Sequence, residues 1–159
     1  MQTVAQVRRV VHHSLRDPQQ IIRRRAEELI RPLREGNKHE EMERLFYWAR
    51  DHFHYAHDPA GLEYIKSPEI SDAEISKNGA FIGDCDDISA YLAALFQSVG
   101  YPVRLVIISP DNSRGPDFKH IYLRVFNRAS KRWIPLDGTA KNFGMGWEAP
   151  AKRRREYDV

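Results

Sequence analysis

Apolar residues recur every three or four positions over the first third of the chain, a spacing that predicts three amphipathic helices. Asp17 and Pro18 supply a cap and a first-turn proline for the second helix. Asn37 and Glu40 repeat the capping pattern ahead of the third helix. We expect residues 1–36 to form a helical extension that packs on a core further along the chain. The predicted buried positions are Val4, Val7, Val11 and Leu15 in the first helix, Ile22, Ala26, Leu29 and Ile30 in the second, and Met42, Leu45, Phe46, Ala49 and Phe53 in the third.

A further helix is predicted to begin after Asp84, which can act as its N-cap, and to end at Gly100. Asp86 and Asp87 fall in the first turn, where the partial positive charge of the helix end favours carboxylates. Cys85 lies near the first helical position, so its backbone N–H points outward and can donate to an oxyanion. The apolar stripe of this helix contains Ile88, Leu92, Leu95, Phe96 and Val99.

The second half of the chain changes from helical to strand spacing. Residues 103–108 are apolar almost throughout, which predicts a central strand beneath the helix that starts at Cys85. Residues 120–126 alternate between apolar and polar, and residues 133–136 are predicted to form the returning strand of a hairpin. Pro135 cannot donate a hydrogen bond to a neighbouring strand, so we place this last strand at an edge.

Three residues in these elements are candidates for chemistry. A turn centred between Arg128 and Ala129 would place His120 opposite Asp137, with their Cβ atoms about 5 Å apart. A carboxylate at that distance would hold the imidazole in one tautomer. A helix N-terminus lowers the pKa of a thiol from about 8.5, whereas adjacent aspartates raise it, so the sulfur needs a cationic partner. We therefore predict that the one cysteine of the chain, Cys85, is a nucleophile whose base is His120 and whose orienting carboxylate is Asp137.

Three ordered blocks of the sequence resemble a known family. They are Gly-Asp-Cys-Asp-Asp at 83–87 with the segments 91–96 and 99–104 that follow, His120 ahead of its strand, and Trp-Ile-Pro-Leu-Asp at 133–137. Over roughly residues 45–140 the chain resembles the transglutaminase-like superfamily. The resemblance implies an α+β fold with a papain-like core, in which the nucleophile helix packs on an antiparallel sheet. It also implies a catalytic triad, carried here by Cys85, His120 and Asp137.

The family contains cross-linking enzymes, peptidases and amidases, so the resemblance does not decide the reaction. Our first hypothesis is a cysteine-dependent enzyme that acts on amide bonds of a protein or peptide substrate, with water as the acyl acceptor. Transfer to an amine, which would make the protein a cross-linking enzyme, is the alternative within the same chemistry. A hypothesis of another class is a binding or assembly module that kept the fold and lost turnover. Each residue also has an ordinary structural explanation: a buried thiol, a strand-end histidine and a turn aspartate.

The length of 159 residues fits one domain. We divide it into the helical extension at 1–36, a catalytic core at 37–147 and a basic tail at 148–159. The 25 Lys and Arg residues exceed the 22 Asp and Glu residues by only three, so the overall charge does not point to nucleic acid. The run Lys-Arg-Arg-Arg at 152–155 is expected to be a solvated tail that could meet an acidic partner.

A single cysteine excludes an internal disulfide and suits a reducing compartment. No stretch approaches the ~18 consecutive apolar residues of a membrane span. From these features we expect a soluble, cytoplasmic protein that has no membrane partner and needs no cofactor.

Further residues could shape the substrate cleft. A loop ahead of the nucleophile helix often flanks the active site in the transglutaminase-like family, so Tyr55, Asp58 and Tyr64 are cleft candidates. Trp147 could form a wall of the cleft or donate its indole N–H. The histidines between residues 52 and 57 have no recognised zinc spacing, and we predict no metal site there.

Overall fold

A computed structural model describes residues 2–59, 64–115 and 117–159 of the chain. In this part of the chain, helices dominate the first half and strands the second. The helices are α1 (Gln2–Leu15), α2 (Ile21–Ile30), α3 (Lys38–Asp51), α4 (Pro68–Asn78) and α5 (Cys85–Ser98). The strands are β1 (Phe53–Tyr55), β2 (Phe81–Gly83), β3 (Val103–Pro110), β4 (His120–Asn127), β5 (Arg132–Leu136) and β6 (Ala151–Asp158).

The main sheet has four strands in the order β5-β4-β3-β6, and every neighbouring pair is antiparallel. β3 lies between β4 and β6, which confirms the prediction of a central strand for the apolar run at 103–108. β5 lies at an edge, as Pro135 indicated. A second, two-stranded sheet pairs β1 with β2 in parallel directly before α5.

The hairpin between β4 and β5 has a register two residues away from the predicted one. Leu123 pairs with Leu136, whereas a turn centred between Arg128 and Ala129 would pair it with Ile134. The cause is the turn itself, where the side-chain oxygen of Asn127 accepts hydrogen bonds from the backbone N–H groups of Ala129 and Ser130, and Lys131 adopts a positive φ of 56°. Because the shift is even, every side chain stays on its predicted face of the sheet.

Helix α5 lies at the centre of the hydrophobic core. All residues from Asp87 to Phe96 are buried, and the helix packs against α1, α2, α3 and β4. The sheet contributes alternate residues to this core, which are Leu105, Ile107, Ile121, Leu123 and Val125. This arrangement is the predicted α+β fold, with the helix that begins at Cys85 packed on an antiparallel sheet.

A partly buried ion pair ties α5 to the surrounding helices. The Nε atom of Arg25 on α2 lies 2.9 Å from Oδ1 of Asp72 on α4, and the hydroxyl of Tyr91 on α5 donates to the same oxygen at 2.6 Å. Asp72 is 6 % exposed, so the charge of its carboxylate is compensated almost wholly by these two partners. The three-residue contact fixes where α5 lies relative to α2 and α4.

The segment 148–159 is solvated, as its charge suggested, but it is part of the sheet rather than a tail, and residues 152–156 are exposed on it. Residues Ala151–Asp158 form β6, which pairs with β3 from Arg104 to Pro110. The prediction failed because β6 has little apolar alternation; its attachment depends on backbone pairing, on Tyr157 and Val159 packing against the core, and on the ion pair between Arg104 and Asp158.

Two helix starts also differ from the sequence prediction. α2 begins at Ile21 rather than at Pro18, because Asp17 accepts a hydrogen bond from the Gln19 N–H within a turn and Gln20 adopts a left-handed conformation. The Asn37 cap of α3 is confirmed, since its side chain accepts from the Glu40 N–H at 3.1 Å. Within the described ranges, no helix has the length and apolar character that crossing a membrane requires.

Candidate active site

The cap of α5 fixes the position of Cys85. Asp84 accepts hydrogen bonds from the backbone N–H groups of Asp86 and Asp87 at 2.9 and 3.4 Å, and the Asp87 carboxylate accepts from the Asp84 N–H at 3.1 Å. This reciprocal pair is a capping box. A side chain at Gly83 would place its Cβ 2.4 Å from Asp87 Oδ2, so only glycine fits there. Most of the Gly-Asp-Cys-Asp-Asp pattern is therefore explained by the start of the helix.

Cys85 is the first residue of α5, and its backbone N–H belongs to the first turn, which has no intrahelical acceptors. The Asp84 side chain takes the N–H groups of the next two residues and leaves that of Cys85 unused by the cap. A donor placed beside the sulfur can stabilise the oxyanion that forms when the sulfur attacks a carbonyl.

His120 and Asp137 are in direct contact. His120 Nε2 lies 2.7 Å from Asp137 Oδ2, although the hairpin register differs from the predicted one. Thr139 holds the other carboxylate oxygen through its N–H at 3.0 Å and its hydroxyl at 2.7 Å. Gly138 brings this segment against α5, since an added Cβ would lie 2.4 Å from Ile88 Cγ1. Asp137 is therefore immobilised between the histidine, the turn and the helix.

The contact also sets the protonation of the pair. Burial has the largest single effect and raises the pKa of the Asp137 carboxyl, but the hydrogen bond and charge of His120 together with the hydrogen bonds from Thr139 outweigh it and hold that pKa below its usual value. A carboxylate can only accept, so the Nε2 atom of His120 carries a proton. In neutral His120, the Nδ1 atom is then the site that can accept a proton from a nucleophile.

Cys85 and His120 line the same cavity, which has a volume of about 200 Å³ and is called here the Cys85 cavity. Elements far apart in the sequence form its walls: the start of α1, the start of α5, one residue of β3 and the segment leading into β4. The lining residues are Thr3, Val4, Cys85, Asp86, Ile107, Phe118, Lys119, His120 and Ile121.

The surroundings of Cys85 favour the protonated thiol over the thiolate. Burial raises the pKa of Cys85 most, and the negative charge of Asp86 raises it further. The Ile121 N–H, which donates to the sulfur, opposes these effects only in part. The thiol donates in turn to Asp86 Oδ1 at 3.6 Å. The pKa-lowering effect expected from the helix end is thus outweighed by burial and by the neighbouring carboxylates.

Carboxyl groups beside the sulfur have raised pKa values as well. Burial, followed by the charge of Asp84, raises the pKa of Asp86 to about 7. Burial raises the pKa of Asp87 to about 6 despite hydrogen bonds from the N–H groups of Lys66 and Asp84. These two carboxyl groups therefore keep their protons to a higher pH than exposed aspartates do.

The predicted cleft residues lie around the site to different degrees. Tyr55 ends β1 opposite Gly83, and its pKa is raised first by burial and then by the charge of Cys85, which places its hydroxyl near the sulfur. Asp58 accepts from the Tyr64 N–H at 3.4 Å, and its charge raises the pKa of the carboxyl groups at the start of α5. Tyr64 itself is 62 % exposed.

Trp147 does not line the Cys85 cavity as far as the described residues show. Its ring stacks on Phe143 with centroids 4.0 Å apart, and its backbone N–H donates to Gly144. The expectation that it forms a wall of the cleft is therefore corrected. The glycine-rich segment before it folds back on itself and keeps the indole with Phe143.

Groups that could bind a metal occur at the start of α5. Asp84, Cys85 and Asp86 each offer a ligand atom, and these atoms lie within 4.8 Å of one another. The same atoms already serve the cap and the bond between thiol and carboxylate. Of the histidines considered for a metal, His52 bonds the Trp48 carbonyl oxygen through Nδ1 at 2.7 Å, and His57 lies against Tyr55.

Sequence reasoning missed several residues of the cavity. Phe118 and Lys119 directly precede His120, so proximity to the predicted base was an available signal. Thr3 and Val4 come from α1, and only tertiary packing brings them to the site. No local pattern in the sequence indicates that contact.

Solved structures with the same fold include proteins from three bacteria. A protein from Parabacteroides distasonis, described provisionally as a protease, matches with a TM-score of 0.55 and 11% identity over 77% of this chain and 24% of its own. One from Cytophaga hutchinsonii, described provisionally as a cysteine protease, matches with a TM-score of 0.53 and 14% identity over 87% of this chain and 50% of its own. LapG of Legionella pneumophila matches with a TM-score of 0.51 and 17% identity over 88% of this chain and 80% of its own.

This chain thus spans about a quarter of the first of these proteins and half of the second. A comparison of the sequence with curated proteins found no match. The sequence profile of the transglutaminase-like superfamily, in contrast, matches residues 23–138, from within α2 to the residue after Asp137. That match covers more than half of the chain, which therefore belongs to the transglutaminase-like superfamily, a family of cysteine-dependent enzymes.

Proposed function

We propose that the protein is a cysteine peptidase or amidase that hydrolyses amide bonds of a protein or peptide substrate. The observation that carries the proposal is that Cys85 and His120 line one cavity while Asp137 holds His120 from behind at 2.7 Å. Membership of a family of cysteine-dependent enzymes supports the reaction class. Two proteins of the same fold that are described provisionally as proteases support hydrolysis over transfer to an amine.

In the proposed acylation step, His120 Nδ1 takes the proton from the Cys85 thiol as the sulfur attacks the amide carbon. A C–S bond forms, and the carbonyl oxygen becomes an oxyanion to which the Cys85 N–H donates. The oxyanion then collapses, the C–N bond breaks, and His120 gives its proton to the departing amine. Asp137 stabilises the imidazolium that exists between these two proton transfers.

Deacylation repeats the sequence with water. His120 accepts a proton from a water molecule as the oxygen attacks the thioester, and the C–S bond breaks to release a carboxylic acid. The sulfur leaves as a thiolate and recovers the proton from His120. Because the resting sulfur is a protonated thiol, the proton transfer to His120 is part of the attack rather than a separate earlier event.

The proposal is tested with a proteome-derived peptide library, in which new amino termini are counted by mass spectrometry after incubation with the protein. We expect Cys85→Ala to yield no products, and His120→Ala and Asp137→Asn to lower the rate by about 10²–10⁴-fold. His54→Ala changes an exposed histidine of β1 and is the matched control, which should keep full activity. Products that form equally well with Cys85→Ala would overturn the proposal.

The same incubations contain a biotin-labelled primary amine. Hydrolysis predicts products with free carboxyl ends and no label. Labelled peptides that form with the unmutated protein and not with Cys85→Ala would instead show transfer to an amine. This arm decides the acyl acceptor independently of the catalytic residues.

A further inference from the structure

An aromatic ring and two arginines lie beside the Cys85 cavity. The guanidinium carbon atoms of Arg153 and Arg155 on β6 lie 5.0 and 5.2 Å from the ring centroid of Phe118, which lines the cavity. The strand register agrees with this placement, since Arg155 pairs with Ile107, another lining residue. Lys119, also in the lining, adds a third cation. We call Phe118, Lys119, Arg153 and Arg155 the basic rim.

The two faces of β6 use their charges differently. Arg154 points to the face away from the helices, where it contacts Glu148 and the Tyr122 hydroxyl. Arg124 on the same face pairs with Glu148 and Glu156. On the cavity side, the Lys119 ammonium donates to a backbone carbonyl oxygen, that of Arg114, at 2.8 Å. Among the described residues, no carboxylate lies within 4.0 Å of the Arg155 guanidinium.

Charge is thus divided across the cavity. Asp86, with Asp84 beside it, lies at the part of the cavity formed by α5, whereas Phe118 and Lys119 line the part formed by the segment before β4, where Arg153 and Arg155 of β6 lie over the Phe118 ring. A substrate segment with carboxylates would be repelled by the first end and attracted to the second. Guanidinium groups are suited to this contact because they bind a carboxylate through two parallel N–H bonds.

We propose that the basic rim binds an acidic segment of the substrate and so directs the neighbouring amide bond to Cys85. This inference rests on the proposed function and names the class of substrate: a peptide that carries Asp or Glu residues on the β6 side of the bond that is cut. β6 is an edge strand, and cations on an edge also hinder pairing between copies of the chain. That general role does not account for their placement over Phe118 at the cavity.

Binding is measured separately from catalysis by using the Cys85→Ala protein. The probe is a fluorescein-labelled oligoglutamate peptide, compared with oligoglutamine and oligolysine peptides of equal length by fluorescence polarisation. We expect only oligoglutamate to bind, and we expect its affinity to fall steeply when salt rises from about 0.05 M to about 0.5 M. Oligoglutamate should also slow alkylation of Cys85 by iodoacetamide in the unmutated protein, because the rim adjoins the cavity.

The double variant Arg153→Gln/Arg155→Gln should weaken oligoglutamate binding at least tenfold. Its matched control is Arg128→Gln/Arg132→Gln, which removes the same charge from exposed positions at the β4–β5 turn and should leave binding unchanged. Lys119→Gln removes a cation of the rim outside β6 and should also weaken binding. It therefore tests the rim even if the double variant in β6 fails to fold. Circular dichroism of each variant shows that the fold is retained.

Three outcomes of the binding assay would overturn the inference: equal binding of oligoglutamine, oligoglutamate binding that neither Arg153→Gln/Arg155→Gln nor Lys119→Gln weakens, or tighter binding of single-stranded DNA than of oligoglutamate. Failure of the proposed function has a different signature, namely rim-dependent binding without any Cys85-dependent product from the peptide library. Products with no enrichment of acidic residues near the cut would overturn the inference and leave the proposed function in place.

Discussion

At the scale of single residues, Asp86 is the charged group that acts most strongly on the sulfur of Cys85. Burial makes the largest contribution to the raised pKa of the thiol, and the Asp86 charge and its hydrogen bond from the thiol add to it. A group that cannot ionise at position 86 would remove the second contribution and leave the first. Asp86 therefore adds to the effect of burial in favouring the protonated thiol of Cys85.

We expect Asp86→Asn to lower the pKa of the Cys85 thiol, because a nearby negative charge disfavours the thiolate. At a pH below the thiol pKa, each unit of that decrease raises the thiolate fraction, and so the rate of iodoacetamide alkylation, about tenfold. The measurement is that rate across a pH series. Asp51→Asn, an exposed carboxylate at the end of α3, is the control and should match the unmutated protein. An unchanged dependence of the alkylation rate on pH in Asp86→Asn would contradict the conclusion that the Asp86 charge raises the pKa of the Cys85 thiol.

The sequence identified Cys85, His120 and Asp137 as a group, and the structure brings His120 and Asp137 into contact and places Cys85 and His120 on one cavity. Their catalytic roles stay a prediction. The sequence could not show that the thiol is protonated, because the pKa depends on burial by α1 and β4, which are remote in the chain. It also could not show that Asp137 still contacts His120 when the β4–β5 register is shifted. That contact is kept because the shift is by two residues, which leaves each side chain on the same face of the sheet.

At the scale of elements, the position of α5 depends on the contact among Arg25, Asp72 and Tyr91. The Arg25 side chain is 21% exposed and that of Asp72 is 8% exposed, so the pair is shielded from water and from salt. The Arg25 guanidinium also lies 5.2 Å from the Trp48 ring centroid, which connects α3 to the same cluster. Removal of the arginine would leave a nearly buried carboxylate with one hydroxyl as its partner.

We expect Arg25→Ala to lower the free energy of unfolding by about 3 kcal/mol, the usual consequence of removing one partner of a buried pair. Arg23→Ala is the matched control on the same helix. It removes an exposed pair with Glu27 and should cost about 0.5 kcal/mol or less. Urea unfolding followed by circular dichroism measures both values. Equal losses would show that the Arg25 pair does not anchor α5.

Elements with a strong apolar pattern were predictable, and elements held by pairing were not. The caps of α3 and α5 and the central position of β3 follow from local residues and are confirmed. β6 and the short parallel pair of β1 with β2 were missed. Their formation depends on backbone hydrogen bonds to strands elsewhere in the chain, and a basic or very short segment carries no periodic signal for that.

At the scale of the whole molecule, the charges at the start of α5 and those at Asp137 have opposite effects on stability. The pKa values of Asp86 and Asp87 are raised by burial to about 7 and about 6, so these groups bind protons more tightly in the folded state than at their unfolded value of about 3.9. Their contribution is complete below about pH 4 and is lost as pH rises through 6 to 7. The lowered pKa of Asp137 gives a contribution that is present above about pH 3.9 and lost at lower pH.

We therefore expect the midpoint temperature of thermal unfolding to rise as the pH falls from 8 to 5 in the unmutated protein. In Asp86→Asn the rise should be smaller by a few degrees, since about 1 kcal/mol corresponds to about 2–4 °C in a chain of this size. Differential scanning calorimetry at several pH values measures both slopes. Identical slopes in the two proteins would show that Asp86 is not protonated on folding.

The capping box has a consequence for how sequences of this kind can diverge. Asp84 and Asp87 form the bonds of the box together with the Asp86 N–H, Gly83 leaves room for the Asp87 carboxylate, and the Cys85 side chain takes part in none of these bonds. Loss of the sulfur would therefore abolish the proposed chemistry and leave the hydrogen bonds at the start of α5 in place, whereas a side chain at position 83 would collide with the Asp87 carboxylate. A descendant that had given up catalysis would be free to replace its cysteine and still be bound to keep the glycine and the two aspartates around it.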